Sequence, residues 1–277
     1  MNKTMLTISA KQNQMSKSEK QIASWLLEHP EDILPLSITE VAEICGCSEA
    51  TISRFARRLG YSGYQGLKIS LAQESGSEKI NTDLSINDTP FDIFNKVSNN
   101  IYLTLEKTKH ILDFEKLEEV SNVIIKAKRV VIFGLGNSAP IALDASHKLT
   151  RAGIDANAYS DGHMQAIVAS HLTKNDVAIG ISHSGSSMDI VNAISVAKKS
   201  GAVTVGVSSS GKSPLSKVAD LVLSTHSDET SRNILALSSR IAQLAIFDTI
   251  YYYLINNNVS LQNEIRRTEQ SLINTKY

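Results

Sequence analysis

Ile181-Ser182-His183-Ser184-Gly185-Ser186-Ser187-Met188-Asp189 is the stretch on which the fold turns. An apolar, β-forming run at 177–181 leads into it, and a helix-like pattern leaves it. Between them, serines crowd around one glycine. Such a junction sets small hydroxyl donors and orphan backbone N–H groups where a strand ends and a helix begins. Unpaired amides and the helix dipole both favour an anion there, a phosphate above all.

The same pattern recurs on both sides. An apolar run at 130–133 ends in Gly134-Leu135-Gly136-Asn137-Ser138, and residues 156–159, 203–207 and 221–223 are further short strands. Helical segments fall between them at 139–152, 163–171, 189–200 and 214–218, and a long one at 232–254 closes the series. Short apolar strands alternating with helices predict parallel strands joined by right-handed crossovers. The expected C-terminal fold is therefore an α/β/α sandwich with a five-stranded parallel sheet of the flavodoxin-like kind. Ligands of such sheets sit beyond the carboxyl ends of the strands. That places Gly136, Asn137 and Ser138 after the first strand beside the serine run after the third. Ser208-Ser209-Ser210-Gly211, after the fourth, offers a third piece of the pocket, although it reads more simply as a plain loop. Gly134-Leu135-Gly136 lacks the third glycine of a dinucleotide fingerprint, and no acidic residue directly ends the second strand, which argues against NAD.

From Ser16 to about Gln73 the pattern is helical instead. Ser16-Lys17-Ser18-Glu19 and Ser37-Ile38-Thr39-Glu40 have capping-box spacing. A short helix carrying Val41, Ala42 and Ile44 breaks at Cys45-Gly46-Cys47, and Ser48 caps the next, at 49–59. Two short helices around a tight glycine turn are the helix-turn-helix shape, whose second helix fits a major groove. Ile52, Phe55 and Leu59 fall on its inner face. Ser48, Glu49, Thr51 and Ser53, near its N-terminal end, would face base edges. Arg54 and Arg57 could reach guanine or phosphate. Arg58 and Lys68 extend the basic cluster, with Glu49 the one opposing charge nearby.

The 277 residues suit one large or two modest domains. The expected division is a helix-turn-helix domain at 1–78, a linker and connecting helix at 79–110, and the α/β domain at 111–277. Lys+Arg and Asp+Glu balance at 28 each, so any affinity for nucleic acid must be local. Cys45 and Cys47 are too few and too close for a disulfide framework and read as reduced thiols packing a turn. Without a secretory pattern or a long apolar run, the expected setting is cytoplasmic, off the membrane. No cofactor or metal is expected.

Ser182-x-Ser184-Gly185-x-Ser187-x-Asp189, with Gly134-x-Gly136-x-Ser138 before it, resembles a SIS (sugar isomerase) domain. The segment Ser239-Arg240-Ile241-Ala242-Gln243-Leu244-Ala245-Ile246-Phe247-Asp248 is similar to that domain's closing helix. The block ending Arg58-Leu59-Gly60-Tyr61-Ser62-Gly63-Tyr64 resembles the DNA-binding domain of RpiR-family bacterial regulators. The joint resemblance implies a transcriptional regulator of carbohydrate genes, controlled by a phosphosugar. It also implies that Ser138, Ser182, Ser184 and Ser187 contact the phosphate, with Gly136, Asn137 and Gly185 shaping the same loops. Ser187 and Asp189 stand where the family pattern often has threonine and glutamate.

SIS domains also occur in phosphosugar isomerases, so an enzyme is the rival reading. Its candidate acid–base groups are His147, His163, His183 and Glu229, but they form no acid–base pair at an interpretable spacing. A third reading is a DNA-binding protein whose α/β half only dimerises, against which the hydroxyl cluster argues. The expected partners are operator DNA, a phosphosugar and further copies of the chain, as a dimer or tetramer, with no catalytic residues.

Overall fold

The computed structural model describes residues 3–30, 32–34, 36–74, 84–209, 211–226 and 237–273. The expected linker stretch 75–83, the loop residue Ser210, the candidate base Glu229 and the first residues of the expected helix at 232–254 lie outside the described residues. The chain divides into two compact units, residues 1–103 with 227–238 and residues 104–226 with 239–277.

In the first unit, α1 (Lys3–Lys11), α2 (Lys17–Glu28), α3 (Ile38–Ile44), α4 (Glu49–Arg58) and α5 (Tyr64–Glu74) surround one core. Local chemistry sets their starts. Ser16 and Glu19 form a reciprocal capping box ahead of α2, and Ser37 and Glu40 form another ahead of α3. Ser48 accepts from the Thr51 amide at 3.2 Å and starts α4. Gly46, at φ +60°, makes the left-handed turn between α3 and α4 that a side chain would resist. Ile22, Ala23 and Leu26 of α2 meet Val41 and Ala42 of α3, Ile52, Phe55 and Ala56 of α4, and Leu67 and Leu71 of α5. Met5 and Ile8 of α1 join the same core, and the sequence reading had not included that helix.

The second unit is the expected α/β/α sandwich. Strands β1 (Arg129–Gly134), β2 (Ala156–Tyr159), β3 (Asp176–Ile181), β4 (Val203–Ser208) and β5 (Leu221–Ser224) are all parallel, in the order β2-β1-β3-β4-β5. Burial on both faces explains their unbroken apolar runs. Val130, Ile132, Val177 and Ile179 face a layer made by α7 (Phe114–Lys126), α8 (Ala139–Arg151) and α12 (Leu237–Asn257). Val131, Phe133 and Ala178 face α9 (Gly162–Ser170), α10 (Met188–Lys199) and α11 (Pro214–Val218). A final helix, α13 (Val259–Ile273), adds Leu261 to the first layer and was not foreseen.

The connecting helix, α6, spans Pro90–Ile111, and Thr89 and Asp92 exchange hydrogen bonds at its start. Among the described residues, no helix is long and apolar enough to cross a membrane.

Candidate functional site

Register brings the hydroxyl-bearing loops to one edge of the sheet. Gly134 pairs with Ile181, and Ile181 with Val207, so the segments after β1, β3 and β4 leave the sheet side by side. Gly136–Ser138 forms a single 3₁₀ turn that runs into α8. Gly136 and Asn137 are exposed, whereas Ser138 and Ser182 are buried at the loop bases. Ser187 caps α10 by position, yet its hydroxyl makes no capping bond, and neither does that of Ser138 at the start of α8. Both hydroxyls are left to other acceptors, next to helix N-termini that favour an anion. Ser184 is partly committed, since its hydroxyl accepts from the Ser186 amide at 3.3 Å.

The serine loop is braced. The amide and hydroxyl of Ser209 both donate to the His183 carbonyl, at 2.8 and 2.6 Å. The Leu215 amide donates to the Gly185 carbonyl at 2.9 Å. Gly185 has φ +62°, and a Cβ there would overlap both Oγ and Cβ of buried Ser213, which caps α11. The stretch read as a plain loop after β4 therefore contains a support for the serine loop, in Ser209.

Gln165 was also missed. It is fully buried, and its Nε2 donates to the Tyr159 carbonyl at 2.8 Å and the Gly134 carbonyl at 3.4 Å. It thereby ties α9 to the ends of β1 and β2, where the first loop departs. Asp189 lies against Gly162 at the start of α9. Of the candidate acid–base groups, His163 is exposed on the first turn of α9 and His147 is exposed on α8. His147 stands about 13 Å from Ser138 along the helix axis, at 1.5 Å per residue. His183 sits within the serine loop. Among the described residues, no three His, Cys, Asp or Glu side chains group as a metal site.

On α4, Ser48, Thr51 and Arg54 form one polar row. The Ser48 and Thr51 hydroxyls are 2.9 Å apart, and Arg54 Nη2 donates to Thr51 Oγ1 at 3.4 Å. Ser53 is half-buried, and Arg54 and Arg57 are exposed. Glu49 accepts from the Thr39 hydroxyl at 2.6 Å, which draws it back towards α3. Arg58 is engaged within the fold, its guanidinium donating to Glu19 and to the Gln14 carbonyl at 2.7 and 2.6 Å. Glu19, 39 positions away in sequence, thus opposes this cluster alongside Glu49.

Lys68 corrects the sequence reading outright. It is buried rather than part of the basic surface, and its ammonium donates to the Leu36 carbonyl at 2.8 Å over the Tyr64 ring. Burial pulls its pKa down to about 8, partly offset by the nearby Glu40 carboxylate. A lysine whose pKa falls on folding penalises the folded state fully below the folded value, and the penalty fades as pH rises to the unfolded one. Tyr64 also donates to the Leu36 carbonyl, at 2.8 Å, so that acceptor stays satisfied without the lysine. Lys68→Met is expected to stabilise the first unit at pH 7 by about 1 kcal/mol. Its advantage over wild type should shrink between about pH 8 and 10.5, as urea midpoints across that range would show.

A helix-turn-helix unit and an α/β unit with a braced hydroxyl loop together define a helix-turn-helix transcriptional regulator with a SIS domain. Residues 2–78 match the helix-turn-helix domain of the rpiR family, and residues 123–252 match the SIS domain. An uncharacterised HTH-type transcriptional regulator of Caldanaerobacter subterraneus subsp. tengcongensis is 35% identical over 91% of this chain and 90% of its own. The regulator HexR of Pseudomonas aeruginosa is 31% identical over 98% and 95%. The fold is shared with NanR of Vibrio vulnificus, solved with ManNAc-6P, at a TM-score of 0.86 over 99% of both chains and 23% identity. The chain belongs to the RpiR family of transcriptional regulators.

Proposed function

We propose that this regulator reads operator DNA with α4 and is controlled by a phosphosugar seated among the loops after β1 and β3. Ser138, Ser182, Ser184 and Ser187 hold the phosphate, with Gly136, Asn137 and Gly185 giving the backbone its close approach. Ser48, Thr51 and Ser53 meet base edges, and Arg54 and Arg57 meet guanine or phosphate. Arg58 reaches the backbone only by giving up Glu19 and Gln14, so its part is first to anchor α4. The observation that carries the sensor reading is the Ser187 hydroxyl, uncommitted at the N-terminus of a 12-residue helix in a loop braced by Ser209 and Leu215. The sugar phosphate bound to NanR, a protein of the same fold, supports the ligand class.

The α/β domain senses rather than turns over its ligand. His147 lies too far along α8 to serve a sugar held at Ser138, and the attached reader gives binding a purpose without chemistry. The chain works in the cytoplasm as a homo-oligomer, its division following 1–78, 79–110 and 111–277. An effector shifts the DNA-binding equilibrium only by its differential affinity for the two states.

Thermal-shift and calorimetric titration of the full chain with pentose, hexose and N-acetylhexosamine phosphates tests this reading. Ligand at about 100 times its Kd should stabilise the fold by about 2.7 kcal/mol. Ser187→Ala should lose most of that shift while unfolding at the wild-type midpoint without ligand. Ser184→Ala should also lose it, with a small drop in the ligand-free midpoint from its bond to Ser186. No shift with any phosphosugar would favour the dimeriser, and turnover of the bound sugar would favour the enzyme.

A further inference from the structure

Helix α6 carries a surface that the proposed sensor and reader leave unused. Among its described residues only Thr104 and Thr108 are buried, although the helix is rich in large apolar side chains. Phe91, Phe94 and Tyr102 are 72%, 69% and 62% exposed. At 100° per residue, Phe91, Phe94, Asn95, Ser98, Tyr102 and Leu105 share one stripe about 100° wide. Asp92 and Lys96 fall well off it, so no charge interrupts the stripe between 91 and 105. Exposed aromatic stripes of this kind mark interaction surfaces.

The order of residues along the stripe identifies the occupant, because it reads nearly the same in both directions about Ser98. Phe91 and Leu105 lie seven positions either side of it, and Phe94 and Tyr102 lie four either side. An antiparallel copy of the same helix, crossing at Ser98, sets Phe91 against Leu105 and Phe94 against Tyr102. The one small side chain on the stripe falls at the crossing, where two backbones come nearest. Asp92 and Lys96 point to the far side of the helix, so neither charge enters the contact. A self-complementary patch of this kind is what a twofold, isologous contact requires.

We propose that a second copy of this chain docks on α6, antiparallel, with the twofold axis passing at Ser98. This rests on the proposed homo-oligomer and names the surface that forms it. With axes 8–10 Å apart and Cα atoms on a 2.3 Å radius, the two Ser98 Cα atoms approach to roughly 4–5 Å, within disulfide reach.

Two measurements on the full chain, without DNA or sugar, test the contact. Under mild oxidation, Ser98→Cys should cross-link through its own position to a covalent dimer. Asn99→Cys, off the stripe, and the wild type should not, since Cys45 is buried and burial pushes the thiols of both Cys45 and half-buried Cys47 up. Phe94→Glu should raise the dimer dissociation constant at least tenfold in sedimentation equilibrium, with its circular dichroism unchanged. A wild-type monomer at tens of micromolar, an unaltered dimer in Phe94→Glu, or equal cross-linking from Ser98→Cys and Asn99→Cys would each overturn the proposal. None of these readouts involves the sugar phosphate, so their failure leaves the sensor reading to its own titration.

Discussion

Gly185→Ala should unfold at a markedly lower urea midpoint than wild type and bind no phosphosugar. Two costs combine. An L-residue forced to φ near +60° costs about 1–2 kcal/mol. The new methyl also overlaps the buried Ser213 cap, and overpacking of this kind costs about 1–3 kcal/mol. The sum, about 2–5 kcal/mol, is a large share of a domain's stability. The loop can escape only by breaking the Leu215–Gly185 bond or lifting His183 off Ser209, and either moves the serines out of register. Ser213→Gly removes both overlapping atoms and costs a capping position only a few tenths of a kcal/mol. The double variant should therefore recover part of the loss. A coupling of about 0.5–3 kcal/mol in the double-mutant cycle would show that the two residues brace each other. Additive effects would place the cost of Gly185→Ala elsewhere.

The second large effect concerns the reader. Arg54→Ala and Arg57→Ala should each weaken promoter binding by about 1–3 kcal/mol if they meet base edges, roughly a 5- to 150-fold loss. If instead they meet phosphate, the loss should be similar across sequences and the salt slope should fall by about one per arginine. Arg58→Ala supplies the contrast. Its guanidinium is already spent on Glu19 and Gln14, and its side chain is 44% exposed. A partly exposed pair of this kind contributes little to stability. Its effect on DNA should be smaller than that of Arg54 or Arg57. A larger effect would mean that Arg58 leaves Glu19 when DNA is bound.

The contrast between these arginines shows where sequence reading stops. Helix period and caps are local, so Ser16, Ser37, Ser48 and Gly46 announced α2, α3, α4 and their turn. The apolar runs before Gly134 and Ser182 announced strands that lie within a residue or so of their observed bounds. Burial partners are not local. Glu19 meets Arg58 across 39 positions, and Lys68 looked like a surface cation because helical period does not say which neighbour covers it. Ser213 supports Gly185, and Gln165 ties down Gly134, only because the sheet brings distant segments together. The α13 helix escaped notice because it buries little beyond Leu261, which leaves hardly any apolar period to read.

The most direct test titrates a promoter fragment against the full chain, with and without saturating phosphosugar, in wild type and Ser187→Ala. A coupling of about 1–3 kcal/mol corresponds to roughly a 5- to 150-fold change in DNA affinity. That change should appear in wild type with one sugar phosphate and be absent in Ser187→Ala, whose ligand-free affinity stays at the wild-type value. An affinity indifferent to every pentose, hexose and N-acetylhexosamine phosphate would contradict the account.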